Sequence, residues 1–85
     1  MQINLRFFAS VREALGVSQE VAEVPSDVAT IGDLRAHLLA RGGAWGEALA
    51  PGRALRMAYN QVMCGPEVTL TEGCEVAFFP PVTGG

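Results

Sequence analysis

Hydrophobic and polar residues alternate near the start of the chain and again after a short interruption. In QINLRFF, residues 2–8, three apolar side chains fall on one face and Phe8 falls on the other. This period of two predicts a strand with one buried face. Residues 19–25, QEVAEVP, are rich in β-branched side chains and end at a proline, so they predict a second strand.

Two segments follow the helical period instead. Residues 9–16, ASVREALG, place apolar side chains at i, i+3 and i+4 and end on a glycine, which predicts a short helix. The clearest helix begins after Thr30, which together with Asp33 has the pattern of a capping box. Its apolar stripe consists of Ile31, Leu34, Leu38 and Leu39. Arg41 followed by two glycines is expected to end it.

The second half of the chain changes from helix to strands. Residues 44–53 predict one more helical turn, in which Trp45 is expected to fill the core. The strands predicted beyond it are residues 55–60, 61–64, 68–70 and 74–79. This order predicts an α+β domain over residues 1–79, with a mixed four- to five-stranded sheet. One long helix and one or two short helices would cover one face, and β-grasp is the leading arrangement.

Composition and charge then exclude several classes of partner. At 85 residues the chain suits a single core, and its net charge is −3. All six basic residues are arginines, spread over positions 6–56 rather than grouped, so no nucleic acid is expected to bind. No apolar run approaches the ~20 residues of a membrane helix, and a signal peptide is not evident. No membrane association and a cytoplasmic location are therefore expected.

Few side chains are suited to catalysis. Cys64 and Cys74 lie in no CxxC or Cys/His pattern, so two reduced thiols are favoured over a disulfide or a metal site. His37 is the single histidine and lies beside the apolar stripe, where a structural role is expected. The acidic residues do not cluster as metal ligands, and no glycine pattern resembles a phosphate loop. The chain does not have the features of a self-sufficient enzyme.

The strongest functional signal is the closing stretch AFFPPVTGG. In a strand, alternation directs Phe78 and Phe79 to opposite faces, and we assign Phe78 to the core and Phe79 to the outside. Phe79 and Phe8 would then form an apolar patch of the kind that marks a partner surface. The alternative is that flanking loops cover both rings.

Beyond the strand, residues 80–85 are predicted to form an extended tail. Pro80 and Pro81 remove two backbone donors and fix φ, so the chain must leave the sheet and reach at most about 20 Å. Gly84 and Gly85 have no Cβ and can pass through a channel too narrow for other residues. The terminal carboxylate could thus enter another protein's active site; a frayed end is the alternative.

Three segments together place the chain near a known family. EVAFFPPVTGG, RFFASVRE and the Tyr59-Asn60-Gln61 step resemble the small subunit of molybdopterin synthase, a ubiquitin-like β-grasp sulfur carrier. The resemblance runs from Leu5 to Gly85. One departure is Cys74, where the family commonly has an aspartate; a change in turn stability or in contacts with the activating enzyme is expected there, rather than a change in chemistry.

The resemblance implies a function for the terminus. A ubiquitin-activating-like adenylyltransferase would use ATP to adenylate Gly85, and a persulfide protein would supply sulfur to give a thiocarboxylate. This tip would enter the large synthase subunit, in a heterotetramer of two small and two large subunits, and donate sulfur to cyclic pyranopterin monophosphate to form the molybdopterin dithiolene. No cofactor would be bound by this chain itself.

The resemblance also assigns roles to individual residues. Gly85 carries the sulfur, Gly84 gives clearance, and Phe8 and Phe79 are candidates for the hydrophobic dock. The neck consists of Pro80, Pro81, Val82 and Thr83. Three alternatives stay open: a sulfur carrier for thiamin synthesis or tRNA thiolation, a ubiquitin-like protein modifier, and an interaction domain with a passive terminus.

Overall fold

The computed structural model describes residues 1–81 and contains eight helices and strands. In chain order they are β1 (Gln2–Phe7), α1 (Ala9–Leu15), β2 (Gln19–Glu23), α2 (Ile31–Leu39), α3 (Gly43–Ala48), β3 (Arg56–Tyr59), β4 (Val62–Cys64) and β5 (Glu75–Phe79). The strands form one sheet in the order β2-β1-β5-β3-β4, in which β1 and β5 are parallel and the other neighbours antiparallel. The predicted α+β, β-grasp architecture with a mixed sheet is confirmed.

Alternation along the strands determines which face of the sheet is buried. Ile3, Leu5 and Phe7 of β1 are almost fully buried, whereas the residues between them are exposed or half-buried. Val76 and Phe78 of β5 lie in the same core. Burial of such side chains contributes roughly 1.5–3 kcal/mol each, so this face fixes the register of the two parallel strands.

The long helix α2 begins as its sequence predicts. Thr30 Oγ1 accepts a hydrogen bond from the Asp33 N–H at 3.1 Å, and Asp33 Oδ2 accepts from the Thr30 N–H at 3.2 Å. This reciprocal capping box satisfies backbone donors that the first helical turn leaves unpaired. The side chains of Ile31, Leu34 and Leu38 are completely buried, and Leu39 packs half-buried at the edge of the core.

Two predicted boundaries differ from the structure. Residues 68–70 are not a strand of the sheet, because their backbone pairs with the start of α2: Ile31 N–H donates to Val68 O at 3.1 Å, and Leu70 N–H to Ala29 O at 2.8 Å. The first strand ends at Phe7 rather than at Phe8. Phe8 instead caps α1, because Ala9 adopts a left-handed φ of 51° that redirects the chain.

Three further properties hold for the described part of the chain. None of its helices is long and apolar enough to cross a membrane. Residues 1–81 contain no group of three or more His, Cys, Asp or Glu side chains placed to hold a metal ion. Cys64 and Cys74 are free thiols, so the disulfide alternative is wrong here.

Candidate functional site

No helix of the described residues covers the face of the sheet opposite the core, and this face carries both apolar and charged side chains. We call it the open face; it consists of Asn4, Arg6, Phe8, Val21, Arg56, Ala58, Met63, Glu75, Ala77 and Phe79. Among these, Phe8, Val21 and Met63 are large hydrophobic side chains exposed to solvent. Exposed apolar groups gathered on one surface are typical of a protein-binding site.

An aromatic pair lies at the end of the open face where β1 and β5 stop. The rings of Phe8 and Phe79 meet edge to face, with centroids 6.3 Å apart and an interplanar angle of 85°. Phe78 is fully buried and stacks on Phe7 at 6.4 Å, so the predicted inward and outward assignments of Phe78 and Phe79 are confirmed. Phe8 remains 41% exposed, so the loops among residues 1–81 leave its ring open to solvent.

Charged side chains border this aromatic pair and partly neutralise one another. The guanidinium carbon of Arg6 lies 5.7 Å from the centre of the Phe8 ring. Arg6 Nη1 also forms an ion pair with Glu75 Oε1 at 3.8 Å. Both charges are partly exposed, so the pair contributes little to stability. The two side chains are therefore available to form contacts with a partner docked on the rings.

The tail begins from the centre of the sheet. Phe78 pairs with Phe7 of β1, and Phe79 pairs with Arg56 of β3, so β5 is held on both sides until its last residue. Pro80 follows directly and cannot donate to the ladder, which explains why the strand stops. This arrangement fixes the position of Pro80, at which the tail begins.

The predicted tail residues divide into two groups. Pro80 and Pro81 are described and half-buried. Val82, Thr83, Gly84 and Gly85 lie outside the described residues, so the expectations for the sulfur-bearing tip and the rest of the neck stay predictions.

A tight turn anchors the other end of β5. Asn60 and Gln61 have left-handed φ angles of 47° and 69° and connect β3 to β4. Asn60 Oδ1 accepts a hydrogen bond from the Glu75 N–H at 2.8 Å, and the Asn60 N–H donates to Glu75 O at 2.8 Å. In the sequence this step is recognisable only as a point of resemblance, because nothing near it in the chain indicates the contact with β5.

The cysteines show no sign of a catalytic environment. Cys74 is buried in the core, next to the start of β5. Cys64 is half-buried, and its burial together with the negative charge of Glu67 raises the pKa of its thiol. Because the thiolate is the nucleophile, a raised pKa lowers reactivity. Trp45, by contrast, has the predicted packing role: its ring meets Phe7 edge to face at 5.5 Å.

The fold and its surfaces define a class: a small β-grasp domain with an uncovered sheet face and a central last strand leading to a Gly-Gly terminus. Comparison of the sequence with family models then places it within that class. The model of the ThiS family matches residues 5–85, and the chain belongs to this family.

Curated relatives match over almost their full length. The chain is 46% identical over 83 residues to a molybdopterin synthase sulfur carrier subunit of Escherichia coli K12, covering 98% of this chain and 99% of the relative. It is 42% identical to a molybdopterin synthase sulfur carrier subunit of Haemophilus influenzae, again covering 98% of this chain and 99% of the relative. It is also 33% identical to small archaeal modifier protein 3 of Haloferax volcanii, with full coverage of both.

Solved structures agree with this fold. The crystal structure of SAMP1 from Haloferax volcanii superposes with a TM-score of 0.76 at 23% identity, covering both chains completely. A subunit complex of molybdopterin-converting factor from Helicobacter pylori contains a chain with a TM-score of 0.67 at 23% identity, again with full coverage. At these identities the likeness shows the fold alone.

Proposed function

We propose that this protein is the sulfur carrier subunit of a molybdopterin synthase. The observation that carries the proposal is its match over nearly the whole chain to curated carriers of that description, at up to 46% identity. The geometry supports it, because the strand that leads to the Gly-Gly terminus is the central one and ends beside an exposed aromatic pair.

In the proposed reaction the Gly85 carboxylate is the acceptor of sulfur. Its oxygen attacks the α-phosphate of ATP on an activating adenylyltransferase, and pyrophosphate leaves. A persulfide on a donor protein then attacks the acyl carbon, and AMP leaves with the C–O bond electrons. A thiol cleaves the resulting S–S bond, forming a disulfide and releasing the thiocarboxylate. ATP is used by the partner, and this chain binds no cofactor of its own.

The thiocarboxylate would then be delivered to a second partner. The tail, from Pro80 and Pro81 through Val82 and Thr83, would carry the Gly84-Gly85 tip into the large synthase subunit. The related Helicobacter pylori protein was solved in complex with subunit 2 of its converting factor, which supports a large-subunit partner. We propose the open face as the docking surface and an assembly of two small and two large subunits.

The acceptor and the cellular setting belong to the same proposal. Sulfur would pass to cyclic pyranopterin monophosphate to build the dithiolene of molybdopterin. The cytoplasm is the proposed location, and the free thiols of Cys64 and Cys74 fit a reducing compartment.

Intact-protein mass spectrometry tests the proposal directly. After incubation with ATP, the activating enzyme and a persulfide donor, the chain should gain the mass difference between sulfur and oxygen at its C-terminus. Deletion of Gly85 should abolish this gain and leave the circular dichroism spectrum unchanged. Molybdopterin formation by the truncated chain, or absence of loading in the full chain, would contradict the proposal.

A protein-modifier function is the second candidate, because the chain is similar along its whole length to small archaeal modifier protein 3. In that case the Gly85 carbonyl would form an isopeptide bond with a lysine of a target protein. Gel-shifted conjugates that disappear when Gly85 is deleted would support it. Carriers for thiamin or tRNA thiolation share the loading step, so only an assay with each acceptor separates them.

A further inference from the structure

Arg35 of α2 binds three backbone carbonyl groups in one connecting segment. Its Nε–H donates to Leu49 O at 2.8 Å, and its Nη2 donates to the carbonyl oxygens of Ala50 and Arg53, the latter at 3.0 Å. These three residues belong to the connection between α3 and β3, residues 49–55, which we call the α3–β3 connection. A single side chain thus holds most of that connection.

The chemistry of this contact suits arginine in particular. Leu49 is the C-cap of α3, and the C-terminus of a helix carries partial negative charge. Ala50 and Arg53 are the two ends of a turn closed by a hydrogen bond from Arg53 N–H to Ala50 O at 2.9 Å. The planar guanidinium presents several donors in a fixed geometry and can bridge these acceptors together. A lysine ammonium also has three donors, but they all extend from one nitrogen, so it cannot reproduce the fixed spacing of the guanidinium donors over these acceptors.

The α3–β3 connection leads directly to the root of the tail. Arg56 pairs with Phe79 in the sheet, so the preceding Leu55 lies beside Pro80. Leu55 and Pro80 line one groove of about 240 Å³, together with Ser10, Ala14, Arg53 and Ala54. A displacement of the connection would therefore move one wall of the groove against which the tail starts.

We infer that Arg35 is a positioning residue for the tail: through the α3–β3 connection it fixes the groove at Pro80 and hence the direction in which the reactive terminus leaves the sheet. The inference rests on the proposed function, since it concerns delivery of that terminus to a partner. Within residues 1–81, the side-chain hydrogen bonds of Arg35 go to Leu49, Ala50 and Arg53 and not to the open face or the two prolines of the tail, so its effect is indirect.

The competing explanation is that Arg35 only stabilises the domain. Arg41 supplies the control. Its guanidinium binds the Glu20 carboxylate of β2 at 2.7 and 3.1 Å and lies over the ring of Trp45 in α3, 4.4 Å from the ring centre. These contacts join the segment after α2 to β2 and α3 but involve no residue of the α3–β3 connection. Arg35→Ala, Arg35→Lys and Arg41→Ala should be compared with the wild type.

The decisive measurement is sulfur transfer from the preloaded carrier to the large synthase subunit at saturating acceptor. For Arg35→Ala we expect KM for the carrier to rise about tenfold with kcat within about twofold, because misdirected tails dock less often but react normally once inserted. Arg35→Lys should give an intermediate rise. Arg41→Ala should keep the wild-type KM even if its melting temperature falls as much as that of Arg35→Ala.

Hydrogen exchange provides a second readout in case Arg35→Ala folds poorly. In Arg35→Lys the amide of Arg53 should exchange faster than in the wild type, while amides of β1 stay protected. Wild-type KM values in both Arg35 variants, or equal rises in the Arg41 control, would overturn the inference. Failure of the wild-type carrier to accept or transfer sulfur would instead overturn the proposed function, so the two failures are distinguishable.

Discussion

Phe8 and Phe79 contact each other edge to face on the open face of the sheet, although they come from opposite ends of the chain. The contact exists because β1 and β5 are parallel neighbours that end at the same edge. One ring precedes the first helix and the other precedes the tail. A partner that binds this aromatic pair therefore also contacts the origin of the tail, which links docking of the domain to insertion of its terminus.

Substitution of the two adjacent phenylalanines should separate binding from stability. Phe79→Ala removes a half-buried ring and should cost about 2 kcal/mol of unfolding free energy, but weaken binding of the large subunit at least about tenfold. Phe78→Ala removes a buried ring and should cost about 3–5 kcal/mol. Chemical denaturation measures the unfolding free energy, and calorimetric titration measures the affinity for the large subunit. Val17→Ala, which truncates an exposed side chain, is the control. Unchanged affinity in Phe79→Ala would remove Phe79 from the interface.

The capping box of α2 predicts a pH dependence of stability. Hydrogen bonds from the backbone N–H groups of Ala29 and Thr30 lower the pKa of Asp33 below its usual value. A carboxyl group whose pKa is lower in the folded state contributes stability above its unfolded pKa of about 3.9. That contribution is lost as the pH falls through the folded-state pKa.

Asp33→Asn should therefore differ most from the wild type near neutral pH. The difference in unfolding free energy between the two proteins should shrink as the pH falls below about 4. Titration of the Asp33 carboxyl carbon by NMR gives the pKa directly. A midpoint at or above that of an unstructured aspartate would contradict the role of the backbone hydrogen bonds.

The turn at Asn60 should show two separable contributions to stability. Asn60→Gly keeps the left-handed conformation but removes the acceptor for the Glu75 N–H, and should cost about 1 kcal/mol. Asn60→Ala removes the same acceptor but keeps a β-carbon in that conformation, without the short polar side chain that lets asparagine tolerate it, so it should be about 1 kcal/mol less stable than Asn60→Gly. Urea denaturation measures both. Equal stability of the two variants would mean that the conformation of residue 60 has no cost.

Thiol labelling should distinguish the two cysteines. Because burial and the Glu67 charge raise the pKa of Cys64, it should react at pH 8 more slowly than a cysteine in a short peptide. Glu67→Gln should accelerate the reaction, whereas Glu72→Gln should not. Cys74 should react only when the domain unfolds, since it is 3% exposed. Rapid labelling of native Cys74 would reopen a reactive role for that residue.

The sequence predicted those parts of the fold in which one local pattern dominates. The alternation in β1 and the capping box of α2 involve residues close in the chain, so their meaning does not depend on distant contacts. The opposite directions of Phe78 and Phe79 also followed from the strand period alone. Residues 68–70 were misassigned because three apolar or β-branched residues fit a strand and an irregular segment equally well.

The groove lined by Leu55 and Pro80, by contrast, had no signature in the sequence. Arg35 looked like an ordinary charged residue on a helix, because its acceptors are backbone carbonyls that any residue possesses. The same holds for the link between Asn60 and Glu75, which depends on how two strands are placed side by side. Contacts between a side chain and a distant backbone become visible only once the fold is known.

The position of β5 has a consequence for synthesis of the protein. It is the last strand in the chain but the centre of the sheet, with β1 on one side and β3 on the other. Until residues 75–79 are available, the strands of the nascent polypeptide can form only the separate antiparallel pairs β1–β2 and β3–β4, each with an unpaired inner edge. Such edges invite intermolecular pairing, so a chain interrupted before β5 should aggregate rather than accumulate as a folded domain without its tail.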